Sequence, residues 1–169
     1  MWDADKGPPL AAAVTPNRLG GCLRHAPPLL AYAAITILLT LSRLFDADYQ
    51  TVWITDTPQK GDEFISVVLR EARMISGVRL ALGGYVSEFP RGITIDVSLD
   101  GKEWAEAWTG DGALTAVEAA LQDQKNVEMV IAFEPRRANY VRVRQTGQSA
   151  DVWALAELRI LAEPTAPRP

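Results

Sequence analysis

The sequence predicts an all-β domain, an antiparallel sandwich or jelly roll with one short inserted helix. Three observations predict it. Between residues 64 and 161 the chain falls into short runs whose apolar side chains sit two apart, the spacing of a strand with one buried face. Glycine and proline punctuate those runs at Gly83-Gly84, Pro90, Gly110, Gly112, Pro135 and Gly147. After residue 45 only Ala113–Lys125 sets apolar residues, Leu114, Val117 and Leu121, at the spacing of an amphipathic helix. Many short strands with little helix belong to sandwiches rather than to layered α/β folds.

Residues 1–28 are rich in Pro, Gly and Ala and read as a flexible leader. Ala26 to Ser42 carries no charge, and 29–42 is its apolar part. A run of this length sits at the short limit for a membrane span. Arg18 and Arg24 precede it and Asp46 and Asp48 follow, so an anchor would leave the N-terminus cytoplasmic and the domain extracytoplasmic. A signal segment and a first buried strand near Leu29–Ile37 remain as readings of the same residues.

The β pattern then begins. Phe64–Leu69 is a short apolar run, and Ile75–Leu82 alternates with Val78, Leu80 and Leu82 on one face. Ile93, Ile95, Val97 and Leu99 form the next strand, which Asp100-Gly101 turns back toward Trp104. After the helix, strands are expected at Val127–Phe133, at Tyr140–Arg144 with Val141 and Val143 inward, and at Leu155–Leu161. Arg142 and Arg144 then share the opposite face, where they either meet an anion or cover the sheet and pair with acids. Glu163–Pro169, with three prolines, is a tail.

Composition removes several classes of function. A length of 169 residues suits one domain with a tail, and a net charge of −4 offers no basic field for nucleic acid. The one cysteine, Cys22, cannot form an internal disulfide. The one histidine, His25, lies in the leader, which removes most His-dependent hydrolysis and zinc chemistry. Among 21 acidic residues no pair stands out as a general acid and base.

The stretch from Phe45 to Trp53 concentrates oxygen donors: Asp46 and Asp48 two apart, then Thr51. Calcium takes six to eight oxygens, which a curled acidic loop can supply. The loop is not an EF-hand, because its sixth position is Thr51 instead of Gly and its twelfth is Thr57 instead of Glu. An ordinary acidic turn capped by its own carboxylates fits the same residues.

Residues 43–162 resemble the discoidin, or coagulation-factor type C, domain and its bacterial carbohydrate-binding relatives. Four landmarks occur in family order. Phe45–Trp53 looks like the "DG-x-x-x-T-x-W" loop, and Ile75-Ser76-Gly77-Val78-Arg79-Leu80 like the strand after it. Ser98-Leu99-Asp100-Gly101-Lys102-Glu103-Trp104 matches "S-x-DG-x-x-W". Ala138–Val143 and Trp153–Leu158 match the endings "A-R-Y-V-R" and "W-x-x-x-E-L". Ala47 departs from the family glycine and Asn139 from the family arginine, and the paired cysteines of animal members are absent, which points to the bacterial branch.

The resemblance implies an eight-stranded, galactose-binding-domain-like jelly roll that binds ligand through loops and has no catalytic activity. It also implies a structural calcium ion held by Asp46, Asp48, Thr51 and Glu157. The expected ligand is a carbohydrate or another cell-surface molecule, the expected setting extracytoplasmic, and a membrane glycosyltransferase or other surface enzyme a partner class. The alternative is a protein-interaction domain with no sugar site. Trp53 and Trp104 read as core. The candidate ligand contacts are Tyr85, Phe89 and Arg91 on the 83–91 connection, with Trp108 and Trp153 beside loops, since a sugar offers an apolar face to an aromatic ring and hydroxyls to charged groups.

Overall fold

Strand alternation builds most of what the computed structural model describes, residues 11–14 and 42–163. In chain order these are β1 (Ala11–Val14), β2 (Trp53–Ile54), β3 (Phe64–Ala81), β4 (Gly92–Ser98), β5 (Ala105–Asp111), α1 (Gly112–Gln122), β6 (Glu128–Gln145), β7 (Ala154–Leu155) and β8 (Glu157–Ala162). Every pairing is antiparallel.

β3 and β6 are each 18 residues long, and each serves both layers of the sandwich. The first half of β3 pairs with the second half of β6, as in Val67 with Val141, and β6 continues to β4 and β5. The second half of β3 pairs with the first half of β6 and with β8, Val78 standing between Ile131 and Ile160. Register shifts between Val68 and Arg73 and between Ile75 and Gly77 mark the bends at which the strands pass from one layer to the other. Gly77 is needed there, because a Cβ would lie 2.4 Å from the Ile131 carbonyl oxygen.

Ile65, Val67, Ile95, Val141 and Val143 of the first layer face Val78, Leu80, Met129, Ile131 and Leu158 of the second, all buried in one core. Each such side chain contributes about 1.5–3 kcal/mol of burial. On the outer face of the first layer, Asp96 accepts hydrogen bonds from both Arg142 and Arg144, so the two arginines cover the sheet and neutralise an acid. β1 pairs with Ile65–Val68 and closes the open side of that layer. Composition puts Ala11–Val14 in a leader. The strand escapes such a reading because Ala-Ala-Ala-Val is too short to show alternation and main-chain bonds hold it at the edge.

Two expectations are corrected. The helix forms, with Asp111 as its N-cap accepting from the Ala113 and Leu114 N–H groups at 2.7 and 3.0 Å, but its apolar stripe faces outward. Leu114, Val117 and Leu121 are 61%, 56% and 77% exposed, while Gly112, Ala116 and Ala119 are buried. Close approach decides this: a Cβ on Gly112 would lie 1.6 Å from the Pro90 carbonyl oxygen, so only the small-residue face fits against the body. The 98–104 hairpin also forms, with Gly101 at φ 74°, but Trp104 is half-buried on the outer face instead of in the core. The Arg142 guanidinium lies 4.2 Å above its ring and Tyr140 packs edge-on.

The apolar segment 29–42 lies outside the described residues except for Ser42, as does the tail beyond Glu163. Among the described residues no helix is long and apolar enough to cross a membrane.

Candidate functional site

Three connections meet at one end of the sandwich: residues 55–63 after β2, 82–91 between β3 and β4, and 146–153 between β6 and β7. Gln59, 3% exposed, ties them together. Its Nε2 donates to the Phe89 and Val152 carbonyls, each at 3.0 Å, and its Oε1 accepts from the Arg91 N–H at 3.0 Å and from the Gln145 amide. Its main chain bonds to Asp151 and Ser149. Gly147 lets the third connection lie against the second, since a Cβ there would meet Gly92 N at 2.7 Å.

On this base Arg91 is held from three sides. Its guanidinium donates to the Asp151 carboxylate and to the Ser87 carbonyl, and it lies 3.9 Å from the centroid of the Phe89 ring. Tyr85, 38% exposed, and Val86, 51% exposed, stand on the same connection. Phe89 and Arg91 are therefore in contact at the loop end, and Tyr85 is exposed on the same connection. Trp108 is not among them: it is half-buried on β5, paired with Ile95.

Trp153 requires a correction. The sequence offers it as a stacking platform, yet it is 0% exposed. Its ring meets Trp53 edge-on at 5.1 Å, and its main chain is bonded to Thr55 from both sides. The indole supports the loops from beneath and has no face open to a ligand.

The Asp46 turn lies against the start of the 82–91 connection, where a Cβ on Gly83 would stand 3.0 Å from the Tyr49 carbonyl oxygen. Ala47 adopts φ 59°, the left-handed conformation that a glycine would take without steric cost. Asp46 Oδ1 accepts from the Asp48 N–H at 2.9 Å. The Thr51 hydroxyl lies 2.8 Å from Asp46 Oδ2 and 3.0 Å from the Asp48 carbonyl. Glu157, 5% exposed, accepts from the Ala47 N–H at 3.1 Å, and Arg159 stands 3.7 Å from its other oxygen. Burial pushes the Glu157 carboxyl up, with the Asp46 charge adding to it, against the pull of Arg159 and the Ala47 N–H. Asp46, Thr51 and Glu157 thus converge on one turn, and Asp48 joins through its carbonyl while its side chain caps Gln50. The donors are all oxygen, two of them carboxylates drawn together by the fold, which fits a hard cation in kind. No group of three or more His, Cys, Asp or Glu side chains placed to hold a metal occurs among the described residues.

With this architecture, residues 39–158 match the family model of the F5/8 type C domain. The chain belongs to that family. No curated protein matches it significantly. Solved structures share its fold. The family 32 carbohydrate-binding module of NanJ from Clostridium perfringens, in complex with galactose, is similar at 17% identity and TM-score 0.54, over 70% of this chain and 82% of that one. The C-terminal domain of a chitobiase from Bacteroides fragilis is similar at 16% identity and TM-score 0.57, over 72% and 79%. Chitosan-binding module 1 of a chitosanase/glucanase from a Paenibacillus species gives 24% identity and TM-score 0.51, over 72% and 83%.

Two residues of this F5/8 type C domain escape sequence reasoning. Gln59 sits in Thr55–Gly61, a polar stretch that reads as a solvated loop, and nothing local signals a buried amide. Asp151 lies six residues beyond Gln145 in another polar loop, and its link to Arg91 spans 60 positions.

Proposed function

We propose that this F5/8 type C domain is a non-catalytic carbohydrate-binding module, taking its ligand at the loop end through Tyr85, Phe89 and Arg91. The observation that carries the reading is the fixed Arg91–Phe89 pair on a connection that also exposes Tyr85. A pyranose has an apolar face that packs on an aromatic ring and hydroxyls that need oriented donors and acceptors. A guanidinium held by Asp151 and Ser87 offers such donors without loss of rotamer freedom on binding. The galactose-bound module of NanJ and the chitosan-binding module named above support the ligand class.

Calcium, held by Asp46, Asp48, Thr51 and Glu157, would supply structural charge neutralisation at the Asp46 turn. A cell-surface setting follows from the ligand class, and accessory service to a membrane glycosyltransferase or other surface enzyme is the arrangement such a module suits. The test is calorimetric titration across neutral and acidic glycans with the wild type and Arg91→Ala. A ligand that binds the wild type and loses about 1.5–3 kcal/mol in the variant, the range for a charged hydrogen bond, supports the reading. A blank across the whole glycan set, with a protein partner recovered on the same loops, would replace it with the interaction-domain alternative.

A further inference from the structure

α1 turns its apolar stripe away from the molecule. Its 11 residues bury Gly112, Ala116 and Ala119 against the body, while Leu114, Val117 and Leu121 stand on the opposite side, each more than half exposed. Their spacing of three and then four residues sets them in one line, the seam along which two helices pair. Apolar side chains exposed singly need no explanation, but three in register on one helix form a continuous patch. The patch is held firmly, because Asp111 caps the helix and Gly112 seats its first turn against the Pro90 carbonyl. The charges around it are of one sign. Asp111 at its start, Glu118 on its flank and Asp123 beyond its end are exposed carboxylates. From Asp111 to Glu128 the chain carries one cation, Lys125, and the remaining acid, Glu128, is already bonded to Tyr49 and Arg79.

We propose that the outer face of α1 docks an amphipathic helix of a partner protein, apolar along one stripe and bearing lysine or arginine on its flanks. Helices are recognised through anchors at i, i+3 and i+7, and Leu114, Val117 and Leu121 occupy those positions. Size selects a helix over a folded surface. A stable interface between two domains takes about 20–30 residues a side, far more than the exposed face of one 11-residue helix offers. Charge selects a basic helix. Its flanks would meet Asp111, Glu118 and Asp123, whereas a second copy of this chain would set the same carboxylates against their own kind. An anionic membrane surface meets the same repulsion. Leu114, Val117 and Leu121 belong to none of the 55–63, 82–91 or 146–153 connections, so the inference stands apart from the loop-end reading.

The test is a two-dimensional NMR titration of the full chain with two synthetic helical peptides. Both carry leucine at a and d positions over two heptads, one with lysine on its flanks and the other with glutamate. Saturable shifts are expected at the amides of Leu114, Val117 and Leu121 with the lysine peptide, and binding about tenfold or more weaker with the glutamate peptide. Leu121→Gln, at an exposed position that the fold does not need, should weaken the lysine peptide by about tenfold or more, and Arg91→Ala should leave it unchanged. Glu118→Lys should narrow the difference between the two peptides. Absence of α1 shifts with the lysine peptide overturns the proposal, as do equal affinities for the two peptides or binding that survives Leu121→Gln. Sedimentation velocity completes the test: a dimer of the wild type that Leu121→Gln converts to monomer would assign the face to a second copy and overturn it as well.

Discussion

A tryptophan beside a loop is exposed or buried according to what lies under the loop, and under this one lies Trp53. Trp153 meets it edge-on and is fully enclosed. Sequence carries the motif to which Trp153 belongs but not the direction of its ring, which depends on a partner 100 positions earlier. Gln59 was hidden for the complementary reason: a buried amide in a polar loop looks like any solvated one until its four partners arrive from two other connections and the end of β6. Arg91 and Phe89 were legible because an aromatic and a charge two apart share one local segment. Trp153→Ala is expected to destabilise the fold by about 3–5 kcal/mol, the cost of emptying a large core site. Urea unfolding would show a lower midpoint, and glycan binding would fall only as the folded fraction falls. A variant of native stability that no longer binds sugar would return Trp153 to the ligand.

At the scale of elements, alternation located the strands and missed their continuity. Phe64–Leu69 and Ile75–Leu82 read as two strands because Arg70-Glu71-Ala72-Arg73 breaks the period, whereas in the fold this is the irregular bend within β3. The helix was legible and its facing was not, since periodicity marks an apolar stripe but steric approach at Gly112 decides which side turns inward. The 98–104 hairpin was legible entirely from local chemistry, and its pH response follows from the same atoms. Asp100 Oδ1 accepts from the Lys102 and Glu103 N–H groups at 2.8 and 2.9 Å and from the Ser98 hydroxyl at 3.0 Å. These bonds hold its carboxyl below the usual value of 3.8. A depressed folded-state value contributes stability above the unfolded value, and that contribution is lost as pH falls through the folded one. An NMR titration should place the Asp100 midpoint below 3.8, and Ser98→Ala should move it upward. A wild-type midpoint at or above 3.8 would contradict the turn geometry.

For the whole molecule, the family was legible because its landmarks are spread along the chain in fixed order, each marking a different part of the sandwich. What joins those parts was not legible. Leu158 N–H bonds to the Leu44 carbonyl, and Glu157 bonds to the Ala47 N–H, so the last strand is fastened to the Asp46 turn by main chain and side chain together. A chain whose one cysteine cannot form an internal disulfide holds that junction by packing and charge. Burial and the Asp46 charge both disfavour ionised Glu157, and Arg159 at 3.7 Å offsets them in part. A divalent cation would remove the remaining penalty and stabilise the folded state by about 2.7 kcal/mol at a hundred times its dissociation constant. Calcium is therefore expected to raise the melting temperature relative to chelator, and magnesium to do so far less, because its small octahedral shell does not suit a curled loop of carbonyls and carboxylates. Glu157→Gln should erase the difference between calcium and chelator while keeping the bond to Ala47. Identical melting in calcium and chelator for the wild type would assign the turn to its own hydrogen bonds and to Arg159 alone.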